Sequence, residues 1–235
     1  MPASSIDYVI AFLGAVLEII VVVCALRRHS FRRYLCLNLY MLFTFVISIS
    51  RHQVLSHFGL HSREYWYTYY YSDAVLTIFL YLALITLYLH VFDEMRVEKY
   101  VRLAAVILLA GTALFSYAVV HQSFQSSDKM LAGFVFELSQ NLYFVGLVLT
   151  YILWGAILKL RETRTQLIQL VLSLGVYFSA FAATFALENM FPTLRFFTYI
   201  VPVLGCLLPL AWAHAFWRFA PDARMSTARL AVVPR

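Results

Sequence analysis

Charge is scarce in this sequence. Only 13% of its 235 residues are Asp, Glu, Lys or Arg, and 63% are hydrophobic. Soluble domains run to about a quarter charged and about half apolar, so this balance excludes an ordinary soluble domain and points to a membrane. Cysteine is nearly as scarce: Cys24, Cys36 and Cys206 all fall inside apolar runs, which excludes a disulfide framework in an outer loop. No basic residue precedes the first apolar run, "MPASSIDYVIAFLGAVLEIIVVVCAL", and the cluster "RRHSFRR" follows it. That is the reverse of a cleaved signal peptide, so the run is expected to be a first helix with its amino end outside. Internal repeats and long polar gaps are also missing, which leaves no room for a soluble domain between the apolar runs.

What the chain does have is seven stretches long enough to cross a bilayer, which takes about 17–25 mostly apolar residues. They are residues 8–26, 34–50, 74–92, 103–121, 131–158, 166–187 and 196–217. The expected fold is therefore all-α, a polytopic membrane protein in the form of a seven-transmembrane-helix bundle. One domain would cover 1–220, with a short cytoplasmic tail over 221–235. With the N-terminus outside, only Arg51, Arg63, Lys129 and Arg195 face outward, and the other fourteen of the eighteen Lys and Arg residues lie on the cytoplasmic side. An even number of spans would abolish that bias, so the rule that cytoplasmic loops are basic selects N-out and C-in. The net charge of +6 then reflects topology and contact with anionic headgroups, and implies no nucleic-acid partner.

Polar residues inside apolar spans are costly in lipid and turn toward protein. On the fifth span Glu137, Gln140, Asn141 and Phe144 follow i, i+3, i+4, i+7, one stripe of a helix. The third carries Trp66, Tyr70, Asp73, Thr77, Tyr81 and Tyr88, provided its helix begins inside the aromatic tract "YWYTYYY". Thr44, Ser48 and Arg51 align on the second span, and Ser173, Tyr177, Thr184 and Glu188 on the sixth. Taken with depth, these stripes bring polar groups from four helices to the outer third. The expected ligand-binding set is Arg51, His52, Trp66, Tyr70, Asp73, Glu137, Gln140, Asn141 and Glu188, beneath a lid of tyrosines. The competing reading is that the tyrosines of the outer loop 51–72 are an interfacial anchor, while Arg51 pairs with Asp73 or Glu137 as glue between helices. Deeper in, Glu18 is the most isolated carboxylate, with Asn38 as its expected hydrogen-bond partner. Pro202 and Pro209 predict a kink in the last span.

Several chemistries lack their residues. The last span has no lysine for a retinal Schiff base, and no Asn-Pro-x-x-Tyr of a G-protein-coupled receptor. His214 stands alone there, without the second histidine that zinc-dependent transmembrane hydrolases use. His90 and His214 form the one inner pair open to bis-histidine haem ligation, and no cofactor or metal is expected. No nucleophile–base pair points to an enzyme, so no catalytic residue is assigned. The segments "RRHSFRRYLCLNLYMLF" and "YWYTYYYSDAV" resemble an uncharacterised group of small multi-pass bacterial inner-membrane proteins of acidobacterial type. The resemblance spans about the first hundred residues and implies an inner (plasma) membrane location, but no activity. The functional expectation is a receptor-like or sensory protein that binds a small ligand from the outer side. It would act through a separate cytoplasmic or membrane protein partner. The alternatives are a small-solute or cation/proton transporter using Glu18, Glu137 and Glu188, and a non-catalytic accessory subunit of a membrane complex.

Overall fold

The computed structural model describes residues 5–59, 62–92, 98–123, 127–160, 164–191 and 197–219. Among these the chain is all-helical, with seven helices: α1 (Ser5–Arg27), α2 (Leu35–Phe58), α3 (Arg63–Val91), α4 (Glu98–Ser123), α5 (Ser127–Leu160), α6 (Thr165–Met190) and α7 (Phe197–Arg218). Five of them, α2 to α6, are long and apolar enough to cross a membrane by length and composition. The chain is thus a membrane protein whose helices meet lipid.

Two helices run well past the spans read from hydropathy. Segment 51–72, expected as the outer loop, is helical on both sides of a short link at Gly59. Gly59 ends α2 at φ 80°, a left-handed conformation that glycine adopts without steric cost. Ser62 then opens α3, its side chain accepting from the Tyr65 backbone N–H at 3.1 Å. The aromatic tract is therefore the first two turns of α3. At the other end of the chain, α7 stays helical through Pro202 and Pro209.

Neighbour contacts close a ring in the order α1, α2, α3, α5, α6, α7, with α7 returning to α1. α3 also reaches across to α6, while α4 lies outside the ring against α5 and α3. Half of α3's apolar span is buried within the protein, against 17% of α4's, so α3 is the central helix and α4 the peripheral one. Leu80, Leu84 and Leu87 of α3 join Leu170, Val171 and Leu174 of α6 and Trp212 and Phe216 of α7 in the main core. A second cluster, Tyr81, Leu138 and Leu142, seats α4 through Leu109 and Ala113. Large apolar side chains on the outer surfaces, such as Leu103, Val106, Leu114 and Phe115 of α4, are exposed, as a lipid-facing surface requires.

Hydroxyls within the spans find partners on their own helix. Thr44, Thr77, Thr112, Thr150 and Thr184 each donate to the carbonyl four residues back, at 2.6–2.9 Å. That bond hides a polar group from hydrocarbon without help from a second helix.

Candidate functional site

The polar side chains gather in three places, and only part of the expected set meets in any one of them. The first is a clamp between α2 and α3. Arg51 Nε donates to Ser72 Oγ at 2.7 Å and its Nη2 to the Tyr69 carbonyl at 3.0 Å. The guanidinium lies 4.3 Å over the Tyr69 ring and 3.9 Å from Asp73 Oδ1. At 3.9 Å the carboxylate is held by charge without a direct hydrogen bond. Asp73 keeps 35% of its side-chain surface open, so it can still accept from another group. Of the two partners expected for Arg51, the structure selects Asp73.

Aromatic residues frame this clamp. Trp66 packs on Tyr70 at 4.5 Å, and Tyr70 meets the Phe136 ring of α5 edge-on at 6.3 Å. Tyr67 and Tyr71 stack on each other at 6.0 Å on another face of α3. Arg63 covers Tyr67 and donates to its hydroxyl at 3.1 Å. The tract thus divides: Trp66 and Tyr70 line the side toward α5, while Tyr67 and Tyr71 pair with Arg63 at the rim.

The second group is the expected α5 stripe, and it turns to a different neighbour. Asn141 Nδ2 donates to Ser116 Oγ of α4 at 2.9 Å and to Glu137 Oε1 at 3.3 Å. Asn141 therefore serves the α4–α5 contact, and Glu137 accepts from it on the same helix. Gln140 is half-buried on α5, and His52 is exposed beside Arg51 on α2. The side chain of Glu188 lies outside the described residues, as does Arg195.

Within the ring, the face of α5 that carries Ser139 and Tyr143 turns toward α3 and α6. Ser139 is buried beside Asp73, with its hydroxyl turned toward that carboxylate. Tyr143 stacks on Phe181 of α6 at 5.1 Å with the rings 8° apart, and its ring lies 6.3 Å from that of Tyr177. Thr77 reaches Tyr143, and Tyr177 stands between Tyr143 and Tyr40 of α2. Tyr40, Tyr143 and Tyr177 are each only 6% exposed. The Arg51–Asp73 clamp thus sits at the mouth of a buried run of hydroxyls from α2, α3, α5 and α6. Ser139, Tyr143 and Tyr40 were not among the expected site residues. Tyrosine reads as an interfacial or core residue, and only the i, i+4 spacings 73/77 and 139/143 hinted at a shared face.

Glu18 lies beyond this run on α1, within electrostatic reach of Tyr40 and of Cys206 on α7. It is 7% exposed, and its Oε2 has no hydrogen-bond partner among the described residues. The expected bond from Asn38 does not form. Asn38 Nδ2 instead donates to the carbonyls of Tyr34 at 2.9 Å and Phe31 at 3.3 Å, pinning the turn between α1 and α2.

The third group lies at the opposite rim, where basic and amide side chains cap helix ends. Arg28 Nη2 donates to the Trp217 carbonyl at 2.7 Å, Arg164 Nη2 to the His90 carbonyl at 2.7 Å, and Gln166 Nε2 to the Phe219 carbonyl at 3.2 Å. The last carbonyls of a helix lack intrahelical partners and carry partial negative charge, so cationic donors suit them. His90 stacks on Tyr34 at 5.2 Å, whereas His214 is exposed and lies 6.4 Å from Phe219. The two histidines thus have different neighbours. No three His, Cys, Asp or Glu side chains cluster with metal-site geometry among the described residues, and all three cysteines are free thiols. No protein-family model matches the chain, and no curated protein or solved structure matches it either.

Proposed function

We propose that this is a seven-span membrane protein, amino end outside, whose outer polar centre at Arg51 and Asp73 binds a small polar ligand in a receptor-like role. α1 and α7 have 23 and 22 residues, which at 1.5 Å per residue reach the roughly 30 Å of a hydrocarbon core. The resemblance to bacterial inner-membrane proteins and the lopsided distribution of basic residues support the inner membrane and the N-out orientation.

The observation that carries the reading is the Arg51–Asp73 pair. A guanidinium fixed by Ser72 and the Tyr69 carbonyl faces a carboxylate at 3.9 Å that remains one-third open. A fixed cation beside an open anion suits a ligand carrying both a donor and an acceptor, such as a zwitterion or an amide. Trp66 and Tyr70 supply an aromatic wall, and Ser139 a buried hydroxyl beside Asp73. Binding would alter the α2–α3 and α3–α5 contacts, and through them the far rim, where a separate partner would read the change.

The test is native mass spectrometry of the protein extracted gently from its own membrane. The reading expects a bound small mass that disappears in Asp73→Ala and persists in Glu137→Ala, because Glu137 is engaged by Asn141 on its own helix. A mass that persists in Asp73→Ala would move the site elsewhere. A second reading, a proton- or cation-coupled transporter, is favoured by one observation: the buried, unpartnered oxygen of Glu18. It expects pH- or sodium-dependent flux in proteoliposomes that Glu18→Gln abolishes, where a receptor shows none.

A further inference from the structure

At the rim opposite the Arg51 clamp, α1 and α7 end side by side and leave a cleft of about 210 Å³ between them. Of the described residues, Cys24, Arg27, Arg28 and Trp217 line it, and none of these is acidic. We infer that this cleft binds the phosphate of an anionic phospholipid headgroup.

Two helix carboxyl ends are by themselves a poor place for an anion, because their free carbonyls are partially negative. Here that term is offset. Arg28 already donates to the Trp217 carbonyl at 2.7 Å, which satisfies one such group and fixes the guanidinium at the cleft. A guanidinium has five N–H donors in a rigid fork, so others remain for a second acceptor. Arg27, the next residue along, is exposed and adds a second fork. Arginine forks match phosphate oxygens in geometry as well as in charge.

The surface leading away from the cleft distinguishes a lipid from a free phosphate. On α1, Val23 and Ile20 stand four and seven residues before Arg27, on the same face of the helix, and both are exposed. On α7, Leu210 and Val203 stand seven and fourteen residues before Trp217, again on one face and again exposed. Trp217 itself is 62% exposed, at the level where indole rings settle between headgroup and acyl chain. With α1 and α7 crossing the bilayer as proposed above, the arginine-lined cleft opens onto two exposed apolar faces, the outline of a phospholipid. The cleft also belongs to the rim at which Arg28 and Arg164 cap helix ends, and such a basic rim draws anionic lipid.

The experiment uses the full chain, purified and stripped of lipid, then exposed to dioleoyl phosphatidylglycerol, to dioleoyl phosphatidylcholine or to inorganic phosphate, with retention read by native mass spectrometry. The expected result is one tightly held phosphatidylglycerol, little phosphatidylcholine, and about fivefold weaker retention in Arg27→Gln, the scale of one basic contact to an anionic headgroup. Arg27 donates to no helix end, so its melting temperature in phosphatidylcholine nanodiscs should match the wild type, which separates lost binding from lost folding. Equal retention of the two lipids, or phosphatidylglycerol binding unchanged in Arg27→Gln, would overturn the proposal. So would inorganic phosphate alone occupying the site in an Arg27-dependent way, because the cleft would then hold an anion and not a lipid.

Discussion

Gly146 shows how closely α5 and α6 approach. A methyl group added there would lie 2.5 Å from the Phe178 ring, and Phe178 is 1% exposed and unable to swing aside. Gly175 mirrors it from α6, where an added carbon would lie 2.9 Å from Thr150 Cγ2. Small residues at helix contacts let backbones pack closely where lipid supplies no hydrophobic drive. Gly146→Ala should therefore destabilise the protein by about 1–3 kcal/mol, the usual cost of overpacking. Gly155→Ala, on the same helix but with nothing within 4 Å, should be neutral or slightly stabilising. Thermal unfolding of the two variants in detergent checks this, and equal melting temperatures would remove Gly146 as a packing determinant. Neither glycine was legible as a contact point in the sequence, because nothing beside either one marks the helix it meets. Asp73 and Arg51 were legible, since charge inside or beside a membrane span is rare enough to stand out.

The α2–α3 pair depends on one side chain more than on its short link. Arg51 reaches Ser72 Oγ, the Tyr69 carbonyl and the Tyr69 ring, three contacts that lie in α3's first three turns. Lysine would keep the charge near Asp73 but cannot offer two donors in one plane to acceptors on the same helix. Arg51→Lys should cost about 1–2 kcal/mol, the worth of one or two lost hydrogen bonds, and a melting curve identical to wild type would show the clamp to be dispensable. The helical start of α3 was half legible. Ser62 has a capping side chain and the 66/70/73 spacing fits a helix, but a span read between charges begins after Asp73, and the tract before it is polar and aromatic. The α5 stripe was legible as a face, but its neighbour was not, for a different physical reason. A helix in this bundle has more than one protein-facing side, and Glu137 with Asn141 is satisfied by Ser116 on peripheral α4 as readily as it would be by a central cavity. Periodicity shows that residues share a face, but not which neighbour that face meets.

The six-helix ring with α4 outside it was not legible at all, since order along the chain does not give order around a bundle. What composition supplied was an expected sidedness. Arg28 and Arg164 each donate to carbonyls at the ends of α7 and α3, so residues on which the proposed N-out orientation rests also close the chain's helix ends. Both roles put cations at one rim, and that rim also holds the α1–α7 cleft, while Arg51 and Asp73 lie toward the other. A reversed orientation would present the clamp to the cytoplasm and the cleft to the outer leaflet. Reporter fusions decide between the two. With the amino end outside, alkaline phosphatase inserted at the Gly59 turn should be active, and green fluorescent protein fused after Arg235 should fluoresce. Phosphatase inserted in the basic link after Arg27 should be inactive. The opposite pattern would invert the bundle and leave the Arg51–Asp73 pair with no access to a ligand from outside. An active phosphatase at both Gly59 and the link after Arg27 would mean that α2 does not cross the bilayer, and the seven-span reading would fall with it.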